Sequence, residues 1–342
     1  MHVLGGSLFS ILILLGGIVR VANIFIGSHH TSSSSGATVI EQHDKLHQQP
    51  GKFRQPYGVA LDAEGDVYVT DSFNRRLQKF SPKGRLRAVY TGPLVLGDLP
   101  AVGKLGALFR PYGIATDRRG NIYVTDTLID TVVKLSPGLQ PVAQWGSPDK
   151  AGSQPGRFRT PEGIAVDRSG NIYVVDSGND RVQKLSATGR VLGIWGRTGT
   201  ASGLFRRPDG IAVDRAGNVY VADAGNNRIQ KFSASGKLLG ILGRNGSHKG
   251  EFHAPHGVAL DGAGYIYVTD SGNYRVQELS PAGKPVYIWD FNNAGELGDT
   301  PLDVYGPYGL AVDRRGRVFV ADKGDDIVQI LAPEGEQVGQ IG

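Results

Sequence analysis

The chain has 342 residues, of which 50 are glycine and none is cysteine. The lack of cysteine excludes disulfides, thiolate metal sites, a cysteine nucleophile and a lipid anchor on cysteine. The glycines follow no triplet period, which excludes a collagen-like protein and indicates many turns. The net charge of +5 at neutral pH permits a polyanionic partner without requiring one.

Residues 1–28 are predicted to be a signal-anchor or transmembrane helix. The stretch from Val3 to Val19 is uncharged and apolar, Arg20 interrupts it, and it resumes through Gly27. A helix that includes Gly27 is long enough to cross a bilayer, with the Arg20 side chain reaching the interface. A cleaved signal peptide and a soluble chain with a wrongly assigned start are the alternatives. No A-x-A-like cleavage site closely follows Val19, which favours an uncleaved anchor.

Residues 29–50 are predicted to be a Ser-rich linker. The stretch HHTSSSSGA, residues 29–37, is typical of a flexible spacer. Arg20 and Lys45 mildly favour a cytoplasmic position for the chain that follows the span, but large domains cross membranes regardless of such charges. Despite these charges, we expect a single-pass membrane protein with its large domain outside the cytoplasm. If the segment is cleaved, the protein is secreted.

Beyond residue 50 one motif recurs six times. It has the form P-x-G-[VIL]-A-[LTV]-D, and each copy continues as D-x-x-G-x-[IV]-[YF]-V-x-D. The copies begin at Pro56, Pro111, Pro161, Pro208, Pro255 and Pro307. A fixed period of 47 to 55 residues is the signature of a repeat architecture.

Each repeat is predicted to contain four antiparallel strands. In the third copy, GIAVD and NIYVVD are short β-branched and aromatic runs, and DRSG between them has the residues of a tight turn. RVQKL and RVLGIWG supply two further strands. Six such units predict an all-β, six-bladed propeller over residues 51–342. Either ATVIEQ (residues 37–42) or EQVGQIG (residues 336–342) completes the ring, and we favour the second.

The third copy carries the pattern F-x-x-P-x-G-I-A-V-D-x-x-G-N-I-Y-V-x-D-x-x-N-x-R-V-Q-K from Phe158 to Lys184. This pattern resembles the NHL repeat, and the resemblance implies the six-bladed fold. It does not choose a function, because similar proteins include ubiquitin ligases, RNA-binding regulators, kinase sensor domains and an amidating lyase. No RING, B-box, coiled-coil or kinase segment is visible here. Amidating lyases use histidines from several blades, whereas His248, His253 and His256 approach a single blade.

The second and sixth copies depart from this pattern. The other four copies have arginine in the loop that connects the second and third strands. Thr131 and Ile327 stand at that position in the two departing copies, and the asparagine before it is replaced by Ile129 and Asp325. We therefore expect the loops of these two blades to differ in shape.

The second residue of the P-x-G motif varies between copies and is predicted to lie at one mouth of the central channel. The six residues are Tyr57, Tyr112, Glu162, Asp209, His256 and Tyr308. Proline and glycine on either side constrain the backbone, while loops on a rigid scaffold commonly carry specificity. We expect these six side chains to form a ligand-binding mouth.

Glu162, Asp209 and His256 come from three consecutive blades. Two carboxylates and an imidazole suit a divalent cation or acid–base chemistry. The alternative is that these are solvated polar residues at loop–strand junctions, paired with nearby arginines. The aspartates that end the second strands occur in every copy, which favours a structural role in turns. The tryptophans that end fourth strands are predicted to pack between blades.

The sequence favours a monomeric, membrane-anchored or secreted recognition scaffold for a protein, peptide or glycan. The first alternative is a metal-dependent hydrolase or lyase with its site at the channel mouth. The second is polyanion or RNA binding through basic residues expected near the same face. These residues are Arg54, Arg110, Arg159, Arg206, Arg207, Arg244 and His253. An exported protein would rarely meet RNA, and the modest net charge also disfavours nucleic acid.

Overall fold

A computed structural model describes residues 10–15, 18–23, 48–95, 99–100, 104–147, 151–291 and 306–342. The chain divides into two compact units, residues 1–49 and 50–342. In the first unit, Ser10–Leu15 pairs antiparallel with Ile18–Asn23. The helix predicted for residues 1–28 is therefore not confirmed, since β-branched residues on both sides of Gly16 and Gly17 also suit a hairpin.

Within the described residues, none of the helices has the length and apolar character needed to cross a membrane. Most of the predicted linker, and the candidate closing strand at residues 37–42, lie outside the described residues.

The second unit is a six-bladed β-propeller in which each blade is a four-stranded antiparallel sheet, as predicted. The first, innermost strands are Pro56–Leu61, Pro111–Thr116, Pro161–Val166, Pro208–Val213, Pro255–Leu260 and Pro307–Val312. The second strands are Val67–Asp71, Ile122–Asp126, Ile172–Asp176, Val219–Asp223, Ile266–Asp270 and Val318–Asp322.

The two outer strands of each blade follow directly in sequence. The third strands are Arg76–Phe80, Thr131–Leu135, Arg181–Leu185, Arg228–Phe232, Arg275–Leu279 and Ile327–Leu331. The fourth strands are Leu86–Tyr90, Pro141–Gly146, Val191–Trp195, Leu238–Leu242, Pro285–Asp290 and Gln337–Ile341. One extra pair of short strands, Leu94–Val95 with Leu99–Pro100, lies between blades one and two.

The C-terminal strand completes blade six, as the sequence favoured. Gln337–Ile341 pairs with the third strand of that blade. Ring closure then depends on packing between blades six and one, where Ile341 and Phe319 share a hydrophobic cluster with Phe53 and Val67. The backbone N–H of Gln55 also donates to Asp326 over 2.6 Å.

The hydrophobic core consists of layers between neighbouring blades. Val175 and Val182 of blade three, for example, pack with Val219 and Val221 of blade four in one cluster. Each tryptophan of a fourth strand reaches the next blade, as predicted: the indole N–H of Trp145 donates to the Thr188 carbonyl, 3.3 Å away. Since each blade buries its faces against its neighbours, a single repeat lacks a core of its own.

The glycine of the P-x-G motif permits the innermost strands to approach each other. A Cβ atom on any of the six would lie 2.2 to 2.4 Å from a backbone carbonyl oxygen of the next blade. On Gly163, for instance, it would lie 2.3 Å from the Asp209 oxygen. No side chain fits there, so the glycines set the tight inner ring and with it the spacing of the residues beside them.

The aspartate that ends the second strand is a structural hub, as predicted. In blade three, Asp176 is fully buried and accepts hydrogen bonds from the backbone N–H of Arg159 and the side chains of Asn179, Arg181 and Gln183. Asp71, Asp223 and Asp270 have the same partners in blades one, four and five. The hub joins the second and third strands of one blade, the turn between them and the segment before the innermost strand.

Candidate functional site

All six residues predicted for the mouth line one cavity of about 350 Å³ at the end of the central channel. Each is the second residue of an innermost strand, next to the glycine that lies against the following blade. The strands therefore fix six side chains in a ring whose diameter the glycines determine. The cavity has the size expected of a small-ligand site.

Aromatic side chains form one side of this ring. The Tyr57 ring packs against Tyr112 and Tyr308, with centroid distances of 4.4 and 5.1 Å. The His256 imidazole stacks on Tyr308 at 4.2 Å. The ammonium group of Lys323 lies 4.7 Å from the centre of the Tyr57 ring and 5.0 Å from that of Tyr308. These contacts hold the tyrosines in a fixed cluster with a cation beside it.

A hydrogen-bonded relay crosses the ring from the aromatic side to the polar side. The Tyr112 hydroxyl donates to Oδ2 of Asp209 over 2.9 Å, and Nδ1 of His256 bonds to the same oxygen. Asp209 is buried, with 6% of its surface exposed. Burial, followed by the charge of Asp209, raises the pKa of Tyr112 well above its ordinary value. The hydroxyl therefore stays protonated and remains a donor.

This relay orients the His256 ring. With Nδ1 engaged by Asp209, Nε2 is the ring nitrogen left for a ligand. A carboxylate that holds an imidazole in this way sets its tautomer and supports its use in proton transfer.

Glu162 lies beside the relay and is an unusual carboxyl group. Burial, followed by repulsion from Asp209, raises its pKa well above the ordinary range of glutamate. A hydrogen bond from Ser177 and the charges of Arg207 and Arg110 act in the opposite direction but do not cancel the rise. Glu162 therefore keeps its proton to higher pH than an ordinary glutamate and can donate a hydrogen bond.

Two of the arginines expected near this face lie at the rim of the cavity. Arg110 and Arg207 both line the cavity and both are exposed. Each directly precedes the proline of an innermost strand, in blades two and four, so the pair flanks Glu162 of blade three. In the sequence, both arginines can be located as the residue directly before the P-x-G motif. The position after the recurring phenylalanine does not identify them.

The other basic residues expected near the mouth have a different role. The backbone N–H groups of Arg54, Arg159, Arg206 and His253 donate to the hub aspartates. None of these four residues lines the described cavity. Arg110 was grouped with them because it follows Phe109, but Leu108 fills the buried phenylalanine position of blade two. Arg110 is therefore one position closer to the mouth.

Small hydroxyl side chains complete the lining. Thr127 and Ser177 directly follow the hub aspartates of blades two and three, and Thr160 precedes the proline of blade three. Sequence reasoning missed all three, although the position after the hub aspartate recurs in every blade.

Within the described ranges, no group of three His, Cys, Asp or Glu side chains is arranged to hold a metal ion. Asp209 and His256 bond to each other, and Glu162 has a hydrogen bond with Ser177 and electrostatic interactions with Asp209 and the two arginines. The metal site formed by Glu162, Asp209 and His256 stays a prediction. His248 lies elsewhere, with its Nδ1 3.0 Å from Glu251.

Four segments of the chain match the NHL repeat: residues 53–80, 158–185, 205–232 and 252–279. A fifth, residues 102–125, matches a β-propeller repeat. Among curated proteins, SUPPRESSOR OF QUENCHING 1, a chloroplastic protein of Arabidopsis thaliana, is 29% identical over 92 residues. That stretch is 27% of this chain and 8% of the relative, so the chain spans a small part of that protein.

Solved structures show the same fold at low identity. A streptogramin B lyase superposes with a TM-score of 0.57 and 16% identity, covering 85% of this chain and 83% of the lyase. An inactive virginiamycin B lyase from Staphylococcus aureus with quinupristin gives 0.57 and 12%, covering 85% of both chains. A nidogen/laminin complex gives 0.58 and 19%, covering 79% of this chain and 90% of the other. The chain is therefore a six-bladed propeller in which four blades match the NHL repeat.

Proposed function

We propose that this NHL-repeat propeller is a recognition scaffold whose mouth binds a protein, peptide or glycan. The observation that carries the proposal is the convergence of all six variable motif residues on one cavity of about 350 Å³. The proline and glycine on either side are the same in all six copies, whereas the residue between them, which lines the cavity, varies.

The chemistry of the cavity supports binding. It combines an aromatic cluster, a fixed carboxylate–imidazole pair, a carboxyl group with a raised pKa and two exposed guanidinium groups. A few convergent polar groups in a preformed concave site are typical of ligand pockets. The innermost strands are packed too tightly to rearrange, which keeps the site preorganised.

Filling the cavity tests the proposal. Full-length protein in detergent would be applied to glycan and peptide arrays beside the variants Thr127→Trp and Leu128→Trp. Thr127 lines the cavity, whereas its neighbour Leu128 is 47% exposed and does not. We expect Thr127→Trp to abolish the array signal and Leu128→Trp to retain it. An array signal that both variants retain equally would show that the mouth is not the binding surface.

We further propose that the apolar segment within residues 1–28 attaches the protein to a membrane, with the propeller outside the cytoplasm. The support is the length and apolar character of the sequence up to Gly27. Fractionation followed by N-terminal sequencing separates the outcomes. An intact N-terminus in the membrane fraction supports an anchor. A shortened N-terminus in the soluble extracellular fraction supports a cleaved signal, and an intact soluble protein contradicts both.

Acid–base catalysis, as a hydrolase or lyase, is the second candidate function. The relay from Tyr112 through Asp209 to His256 favours this function. Asp209 engages Nδ1 of His256 and leaves Nε2 available for proton transfer with a ligand. Solved propellers of similar fold include two lyases. At such low identity these structures support the shared fold alone. The case for catalysis therefore depends on the relay.

A comparison of two histidines tests this candidate. Lactones and esters would be screened with the wild type, with His256→Phe, which keeps a ring against Tyr308, and with His253→Phe outside the cavity. Catalysis by His256 predicts a loss of about 10²- to 10⁴-fold in the first variant only. Metal content by mass spectrometry is measured on the same samples. A stoichiometric metal lost from Glu162→Ala would favour the metal-dependent form of the candidate.

A further inference from the structure

We propose that the mouth cavity binds an acidic sugar residue, with the sugar carboxylate held between Arg110 and Arg207 and its hydroxyls bonded by Glu162, His256 and the neighbouring hydroxyl side chains. The inference rests on the proposed recognition function and names the ligand chemistry of that site. Three properties of the cavity carry it: the placement of the two arginines, the density of hydrogen-bonding groups and the small number of aliphatic side chains in the lining.

The two arginines occupy equivalent positions on either side of blade three. Both act on the same carboxyl group, since the charge of each lowers the pKa of Glu162. The Arg207 backbone is fixed, because its N–H donates to Asp180 over 2.7 Å while the side chain remains exposed. The Arg110 guanidinium lies 5.5 Å from the Phe73 ring centre. Planar guanidinium groups bind carboxylates through paired hydrogen bonds, so the rim suits this anion.

Below the arginines the cavity offers donors and acceptors suited to hydroxyl groups. While it holds its proton, the carboxyl of Glu162 can both donate and accept, as can the hydroxyls of Thr127, Thr160 and Ser177. His256 contributes Nε2, with its ring orientation set by Asp209. A sugar hydroxyl also donates and accepts, so these groups can satisfy one another when water is displaced.

The apolar part of the lining comes mainly from the tyrosine rings. Apart from the tyrosine rings, Ala224 and Gly178 are the non-polar residues among those that line the cavity. A peptide C-terminus would present a carboxylate to the same arginines, but an aliphatic side chain on it would find a single aliphatic partner, Ala224, among the lining residues. A phosphate dianion would bring two charges towards Asp209 and Glu162, whereas a sugar carboxylate brings one. The observations therefore favour a hydroxylated monoanion.

Binding should weaken as pH rises. The titratable and charged groups that face the ligand are Glu162, Asp209, His256, Arg110 and Arg207, with Tyr112 and Lys323 beside them. Loss of the Glu162 proton removes a donor and adds a negative charge near the sugar carboxylate. Both consequences disfavour an anion in the cavity.

The test measures binding of three small probes to the full-length protein by calorimetry. Glucuronate is the acidic sugar, glucose is its neutral match, and N-acetylalanine represents a peptide C-terminus. The variants are Arg110→Gln and Arg207→Gln, singly and together, with Arg206→Gln as the control. Arg206 is adjacent and exposed but does not line the cavity. Circular dichroism confirms that each variant is folded.

We expect glucuronate to bind at least about tenfold more tightly than glucose, since a hydrogen bond to a charged group contributes enough for that ratio. Each cavity variant should weaken glucuronate by about tenfold or more, and Arg206→Gln should not. Glucuronate that binds no better than glucose, or that is insensitive to the double variant, overturns the proposal. Arginine-dependent binding of N-acetylalanine without glucuronate also overturns it and assigns the site to peptide termini.

The experiments distinguish failure of the acidic-sugar assignment from failure of the recognition function. If no probe binds but Thr127→Trp still abolishes the array signal, the acidic-sugar assignment fails and mouth recognition stands. If neither probe binding nor the array signal depends on the cavity residues, the acidic-sugar assignment and mouth recognition both fail.

Discussion

Blades one, three, four and five differ from blades two and six at the turn between their second and third strands. In the first group a buried aspartate is paired with an arginine, an asparagine and a glutamine of the same blade. These are also the four blades that match the NHL repeat. The match to the NHL repeat therefore coincides with the polar hub as well as with the strand pattern.

Blade two has the aspartate at the end of its second strand but no arginine to pair with it. Asp126 is fully buried and accepts four backbone N–H groups, from Phe109, Arg110, Leu128 and Ile129. Thr131 replaces the arginine, and its hydroxyl is buried without a hydrogen-bond partner. In blade six, Asp322 is bonded by Gln329 and backbone N–H groups. The same strand arrangement thus forms with or without the ion pair, so the hub stabilises a blade without defining it.

The largest effect is expected from breaking the hub of a regular blade. Asp176→Asn would leave Arg181, which is 8% exposed, without its carboxylate, and would turn an amide donor towards other donors. Removal of one partner of a buried ion pair costs about 3–5 kcal/mol, and we expect a loss in that range. Urea unfolding of the full-length protein measures it. A loss no larger than that from the matched change in blade two would contradict the comparison.

Asp126→Asn is that matched change and should cost less, about 1–2 kcal/mol, because no buried arginine loses its partner. The cost should also depend on pH. Burial raises the pKa of Asp126, so its contribution to stability is fully present below the ordinary aspartate pKa and is lost as pH rises through the raised value. The variant should therefore be more destabilised near about pH 4 than near about pH 7. A pH-independent difference in unfolding free energy would refute this account.

The smallest effect on stability is expected at the mouth. Arg207→Gln changes an exposed side chain outside every hub, and its unfolding free energy should stay within about 0.5 kcal/mol of the wild type. The same change is expected to weaken glucuronate binding. A large loss of stability would mean that Arg207 serves the framework, and the division between hub and mouth would not hold.

Much of the fold follows from local patterns. The six prolines, the strands and the hub aspartates were all placed from the repeat, because a repeated unit of one period must bury its faces against copies of itself. The N-terminal segment shows the limit of such reasoning. An apolar run with β-branched residues and two central glycines suits either a helix or a hairpin, and periodicity alone does not separate them.

The sequence by itself determined the repeat, the number of blades and the identity of the six mouth residues. Only the tertiary structure decided which of them meet. Tyr112 of blade two bonds Asp209 of blade four across blade three, and Asp209 takes His256 as a partner in place of Glu162. Those pairings, and the approach of Arg110 and Arg207 to Glu162, depend on how tightly the ring closes. The glycine contacts between blades set that diameter, and those contacts form only when the six blades close into a ring.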